Sequence, residues 1–239
     1  MTGFRSFAAT HAGPRRHHNE DSYVDRPDLG LWAVADGAGG HAAGEVASAM
    51  IRDALEAIPP GLDAGRLLAE VRGRLLDVHV ALHEEAARRG PGAVIASTVV
   101  VLLARGGHLA ALWAGDSRIY LLRDGVLSQL TRDHSLVQEM VDAGALAAAE
   151  AERHPRANII TRAVGAGDED LVLDKVTGTV LPGDRFLLCS DGLSKTLPEA
   201  EIAGLLAAPE GVAPTELLIA AALAREAGDN VTSVVVEVG

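Results

Sequence analysis

The sequence predicts a single α+β domain, antiparallel sheet covered on the outside by helices, on three observations. Helical and strand-like periodicities alternate along the chain. The middle third is a run of β-branched and apolar segments broken by Arg-Gly-Gly and Arg-Asp-Gly turns. No linker, internal repeat or low-complexity run divides the whole. With 239 residues, 48% of them apolar, the chain can bury a large core unaided.

Taken in order, residues 5–12 and 31–35 read as short strands. An amphipathic helix is expected from Ala42 to Ile58, closed by Pro59-Pro60-Gly61. A longer one runs from Asp63 to Arg89, where Leu67, Leu68, Val71, Leu75, Val78 and Leu82 recur at helical spacing before Gly90-Pro91-Gly92. Then the period changes: STVVVLLARGGHLAALWAGDSRIYLLRDGVLSQL reads as a meander of antiparallel strands. Residues 134–165 read as two short helical pieces followed by the polar, irregular HPRANIITRAVG, the best candidate for a mobile surface segment. Strands near 171–177 and 185–189, helices near 198–207 and 213–227, and a closing strand VTSVVVEV complete the domain.

Composition narrows the function. A net charge of −12 argues against nonspecific binding to nucleic acid, whose phosphates attract Lys and Arg. No apolar run approaches the roughly 20 residues of a membrane span, and MTGFRSFAATHAGPRRHHNED lacks the apolar segment of a signal peptide. The single cysteine, Cys189, excludes an internal disulfide framework and fits a reducing compartment. A cytoplasmic monomer that binds neither nucleic acid nor membrane is expected.

Four segments share a form in which an apolar strand meets a short acidic turn. LWAVAD ends at Asp36, LAALWAGD at Asp116 and FLLCSD at Asp191, while GDNVTSVVV starts at Asp229. Each aspartate alone reads as a turn or cap residue. Together they suggest convergence, because adjacent strands lie about 4.8 Å apart. Two like charges near 5 Å cost roughly 3 kcal/mol at an effective dielectric of 20, so several could not stay ionised there without cations. Oxygen-only ligands favour Mg²⁺ or Mn²⁺ over zinc. In RRHHNED, Arg16 precedes the acidic pair Glu20 and Asp21; a forked guanidinium suits phosphate, and the acids could order metal-bound water.

RRHHNED, VADGAGG, GDSRIY, LLCSDGL and GDNVT, in that order between residues 15 and 232, resemble the metal-dependent serine/threonine protein phosphatases of the 2C type, the bacterial members most closely. The resemblance covers essentially the whole chain. It implies a four-layer α-β-β-α sandwich of two antiparallel sheets flanked by helices, with two Mn²⁺ or Mg²⁺ ions at one end. Carried over, Asp36 resembles the carboxylate bridging both ions, Gly37 the carbonyl ligand, and Asp191 and Asp229 the remaining carboxylate ligands. Glu20 and Asp21 resemble the acids that hold metal-bound waters, and Arg16 the phosphate-binding arginine. Asp116 matches a position that helps bind a third, weaker ion, with Asp191 shared. Segment 134–165 falls where the family has its flap.

The implied reaction is hydrolysis of phosphoserine and phosphothreonine by in-line attack of a metal-bound water, with no phosphoenzyme, on phosphoproteins that a cognate serine/threonine kinase produces. Many eukaryotic relatives have histidine where Ala38 stands, which leaves His41, His17 or a metal-bound water to protonate the leaving group; water is favoured. VADGAGGHAAGEVAS and CSDGLSKTLPEAEI also resemble phosphatases associated with regulation of type VI secretion.

Other chemistries fit less well. GAGGHA satisfies a dinucleotide pattern, yet the next segment is helix running into Pro59-Pro60 rather than a strand ending in an acid. Glu45 stands where a Walker loop needs lysine. Cys189 lies in an apolar strand as a buried thiol, and Lys195 replaces the arginine of cysteine-dependent phosphatases. GDSR at 115–118 lacks the C-terminal Asp-x-x-His of the lipases that carry a similar motif. A non-catalytic phosphoprotein-binding relative is the alternative, opposed by the presence of Asp36, Asp191 and Asp229.

Overall fold

The computed structural model describes residues 3–39, 43–151, 153–167, 170–208 and 213–239. Two antiparallel sheets stack face to face. The first runs β1 (Phe4–His11), β11 (Val231–Val238), β10 (Arg185–Cys189), β7 (Arg118–Arg123), β8 (Val126–Gln129) in spatial order. The second runs β2 (Asp21–Arg26), β3 (Leu31–Ala38), β5 (Val99–Arg105), β6 (His108–Ala114), β9 (Asp174–Thr179), with β4 (Ala96–Ser97) pairing the end of β3. Helices α1 (Ala43–Glu56) and α2 (Ala64–Arg89) cover the second sheet; α5 (Asp191–Ser194), α6 (Glu199–Leu206) and α7 (Pro214–Ala224) cover the first. The expected four-layer α-β-β-α sandwich is the observed one.

The central strands are buried on both faces, which explains their unbroken apolar runs. In β3, Trp32 and Val34 point between the sheets while Leu31, Ala33 and Ala35 point at α1 and α2. In β10, Phe186 and Leu188 face the inter-sheet core, and Leu187 and Cys189 pack under α6 and α7. Cys189 is fully buried, and burial pushes its thiol up to about 12, as the sequence reading of an inert core thiol requires. Among the described residues, no helix is long and apolar enough to cross a membrane.

Most element bounds agree with expectation to within a few residues. Helix α2 starts one residue later than expected because Asp63 is its N-cap, its side chain accepting from the Arg66 N–H at 2.8 Å. Three elements were not anticipated: β2, β4 and the four-residue α5. Strand β2 shows no apolar alternation because two of its three buried residues, Asp21 and Ser22, are polar.

Segment 134–165 contains α3 (Leu136–Asp142) and α4 (Ala148–Ala151), the two expected helical pieces. Both of its ends are tied down. His134 donates its N–H to Gly115 O (2.9 Å) and accepts from the Gly115 N–H through Nδ1 (3.1 Å). Val164 bridges to Ser97, and Gly165 donates its N–H to His79 Nδ1 at 2.9 Å.

Candidate active site

Strand register brings the acids to one end of the sandwich. Asp21, the first residue of β2, pairs directly with Asp36 near the end of β3. In the facing sheet, Cys189 of β10 pairs with Ser233 of β11 and with Arg118 of β7. Asp191, Asp229 and Asp116 therefore extend from the same edge, each just beyond a strand end. Proximity is visible in the electrostatics. Burial, then the charges of Asp21, Asp191, Asp116 and Asp229, push the Asp36 carboxyl well above the usual carboxylate range. Asp21 rises to about 7, chiefly by desolvation and against the hydrogen bonds from Thr232 and Ser190. Asp116, 2% exposed, is also raised by burial and by Asp191, with Lys195 pulling the other way.

Polar side chains hold these acids in place. Asp21 Oδ2 accepts from Thr232 Oγ1 (2.6 Å) and Ser190 Oγ (2.8 Å). The Asp36 N–H donates to Thr98 Oγ1 (3.2 Å), while the Asp36 carbonyl accepts from the Thr98 N–H (2.8 Å) and Ser97 Oγ (3.0 Å). Asn230 Oδ1 accepts the Glu20 N–H at 2.8 Å, and its amide donates to the carbonyls of Ala12 and His18, pinning the N-terminal loop beside Asp229. Ser190 lies within LLCSDGL, and Asn230 and Thr232 within GDNVT, as neighbours of the acids that carry the sequence signal; Ser97 and Thr98 read merely as strand formers.

Gly37 is fixed by close approach. A Cβ built there would lie 2.1 Å from Gly44 O and 2.7 Å from Glu20 O, and one on Gly44 would sit 2.9 Å from Glu20 Cδ. The start of α1 thus rests directly on the ends of β2 and β3, with the Glu20 side chain over it. Gly192, in the second Asp-Gly pair, would place a Cβ 2.0 Å from Asn230 O. The glycines of both pairs are packing requirements between backbones. Gly40, His41 and Ala42 lie outside the described residues. Ala38 and His17 are exposed.

Two protein cations reach into the cluster. Arg16 Nη2 pairs with Asp229 Oδ2 at 2.6 Å, and Lys195 Nζ lies 2.8 Å from both Asp116 Oδ2 and Asp191 Oδ2. Lys195 was not among the expected site residues, although its i+4 spacing from Asp191 was a legible signal. Among the described residues, no three histidine, cysteine or acidic side chains close into a ready ligand cage, and Arg16 and Lys195 engage oxygens of Asp229, Asp116 and Asp191. Asp21 Oδ1 and Asp116 Oδ1, however, are buried carboxylate oxygens with no hydrogen-bond partner. An orphaned anionic oxygen such as Asp21 Oδ1, in an all-oxygen cluster, suits hard divalent cations such as Mn²⁺ and Mg²⁺, whereas Asp116 already has Lys195 on its other oxygen.

This electrostatic arrangement has a measurable consequence. The folded pKa of Asp21, near 7, lies above its unfolded value near 3.8. Its contribution is therefore intact below pH 4 and lost as pH rises toward 7; Asp36 and Asp116 shift in the same direction. The rise in melting temperature on replacing EDTA with Mn²⁺ is expected to grow between pH 5 and pH 7.5, by several degrees at about 2–4 °C per kcal/mol. Calorimetry at matched ionic strength checks this, and a rise independent of pH would contradict it.

A family model described as "Protein phosphatase 2C" matches residues 14–214. The chain is 37% identical over 234 residues to the serine/threonine protein phosphatase PstP of Mycobacterium tuberculosis, spanning 98% of itself but only about half, 45%, of that relative. It is 34% identical to the serine/threonine phosphatase stp of Listeria monocytogenes, across 95% of this chain and 93% of that protein. Among solved structures, PppA of Pseudomonas aeruginosa, described as a key regulatory component of T6SS, superposes with TM-score 0.91 at 43% identity over 100% of both chains. The PstP catalytic domain in complex with 2 manganese ions superposes with TM-score 0.84 at 36% identity, over 100% of this chain and 99% of that one. The chain belongs to the protein phosphatase 2C family of metal-dependent serine/threonine phosphatases, alongside its bacterial members.

Proposed function

We propose that this chain hydrolyses phosphoserine and phosphothreonine in proteins at the end of the sandwich where Asp21, Asp36, Asp116, Asp191 and Asp229 meet. The observation that carries the reading is the crowding itself: five aspartates drawn from both sheets, with Asp21 and Asp36 held far from their ordinary pKa and the buried Asp21 Oδ1 unpartnered. Such a cluster is unfavourable unless cations bind it. Asp36, the Gly37 carbonyl, Asp191 and Asp229 would hold two Mn²⁺ or Mg²⁺ ions, which supply Lewis acidity and an acidified water.

The remaining roles belong to the chain's own groups. Glu20 and Asp21 accept hydrogen bonds from water at the cluster, and Ser190 and Thr232 hold Asp21 in position for that. Arg16, half-exposed at the rim, exchanges its pairing with Asp229 for a phosphoryl group of the substrate. Its planar fork matches two phosphate oxygens while leaving the reacting face open. Ala38 is apolar and His17 lies out in solvent, while His41 lies outside the described residues; of the candidates to protonate the leaving alkoxide, water is favoured. Residues 134–165, anchored at both ends beside Gly115 and Ser97, form the flap that borders the bound phosphopeptide.

Relatives named as serine/threonine phosphatases support phosphoproteins as substrates. The kinase that a phosphatase of this kind opposes would be the natural partner, and the likeness to PppA supports a place in control of type VI secretion. Retention of Asp36, Asp191 and Asp229 favours an enzyme over a phosphoprotein-binding module. Phosphate release from a phosphothreonine peptide, with Mn²⁺ and with EDTA, tests the proposal. Turnover that depends on Mn²⁺ is expected; none with either would sink the enzyme reading.

A further inference from the structure

Lys195 caps the C-terminal end of α5, one turn after Asp191, and is one of only two lysines in the chain. Its ammonium is surrounded by three oxygens: Asp116 Oδ2 at 2.8 Å, Asp191 Oδ2 at 2.8 Å and Asn158 Oδ1 at 3.2 Å. An ammonium carries three N–H donors and no acceptor, so these partners saturate it. The two carboxylates are 2% and 17% exposed, and the lysine 26%, so the contact is largely withdrawn from water. It is held on both sides of the chain: Lys195 donates its backbone N–H to Asp191 O at 2.8 Å, and Asp116 follows Gly115, which is locked to His134.

By resemblance alone, the Asp116–Asp191 pair is the place for a third divalent ion. We propose instead that Lys195 is a tethered cation that occupies this position, so that the chain binds two divalent ions and not three, and that the same ammonium docks segment 134–165 through Asn158. A divalent ion reaching Asp116 Oδ2 and Asp191 Oδ2 would meet the ammonium on the same two oxygens, with like charges in contact. One lysine thereby puts a tethered charge where a weakly held ion would depend on its free concentration. Arg16 is less committed, with a single carboxylate partner and half of its side chain in solvent.

The inference rests on the reading of Asp191 as a metal-site carboxylate, and counting metal separates the two. Equilibrium dialysis of the full chain against saturating Mn²⁺, with bound metal measured by mass spectrometry and free Mn²⁺ by electron paramagnetic resonance, is expected to give two ions per wild-type chain. Lys195→Ala and Lys195→Met are expected to gain a third, lost again when Asp116→Asn is added. Lys195→Arg, which keeps a tethered cation, is expected to stay at two. A third ion on the wild type would overturn the inference while leaving the metal-centre reading intact, and so would a count of two in folded Lys195→Ala. Fewer than two on the wild type would overturn both.

Discussion

Asp36→Asn is expected to lower turnover on a phosphothreonine peptide by at least about 1,000-fold, while the metal-free protein becomes more stable. The two effects share one cause. Asp36 sits opposite Asp21 in the β2–β3 ladder and within reach of Asp116, Asp191 and Asp229. Charge stabilisation by bound metal is worth several kcal/mol, and each 1.36 kcal/mol is tenfold in rate. Asparagine keeps the shape and removes the anion that would bridge two ions. At pH 7 the unfolded Asp36 is ionised, while the folded one is burdened by burial and four like charges, so folding has to bind a proton or bear the repulsion. Asparagine escapes that cost. A higher melting temperature in EDTA together with lost activity is therefore the expected result. Full activity would remove Asp36 from the centre; lost activity with lowered metal-free stability would mean that the aspartate is structural.

Gly37→Ala is expected to destabilise the protein by about 3 kcal/mol or more, the upper end of what overpacking costs. The new Cβ would meet backbone, Gly44 O at 2.1 Å and Glu20 O at 2.7 Å, so no side chain can swing away. Relief requires α1 to move off the ends of β2 and β3, carrying Glu20 and Asp36 with it. Gly73→Ala supplies the contrast: it lies inside α2 with nothing within 4 Å of its Cβ position. That change is expected to stabilise by about 0.5–1 kcal/mol through helix propensity. Thermal melts of the two variants check both signs. Equal effects would mean that Gly37 is a tolerant turn and not a contact between backbones.

Asp36, Asp116, Asp191 and Asp229 are legible in the sequence because each stands where an apolar strand meets a polar turn, a break that a period of two or a continuous apolar run makes visible. Layer assignment was not legible in the same way. Val99 to Ala104 is apolar at every position, so nothing in the run says that Val100 and Leu102 face the other sheet while Val101 and Leu103 face helices. Only pairing with β3 and β6 decides it. In the sequence Asp21 shows only as half of an acidic pair with Glu20, whereas it opens β2; its burial needs Ser190 and Thr232, 169 and 211 residues away. Hydroxyls inside strands look like β-formers until the fold sets them against a carboxylate. Of the partners of Lys195, Asp191 is one turn away and legible, but Asp116 is 79 residues distant and Asn158 is 37, so only the fold brings them together.

Strand ends from both sheets are expected to form one centre for two divalent ions around Asp36. Anomalous diffraction from crystals grown with Mn²⁺ tests it most directly. The expected map has two peaks at this end of the sandwich, both beside Asp36, one shared with Asp191 and Asp229. A single peak, or manganese bound away from Asp36, would contradict it.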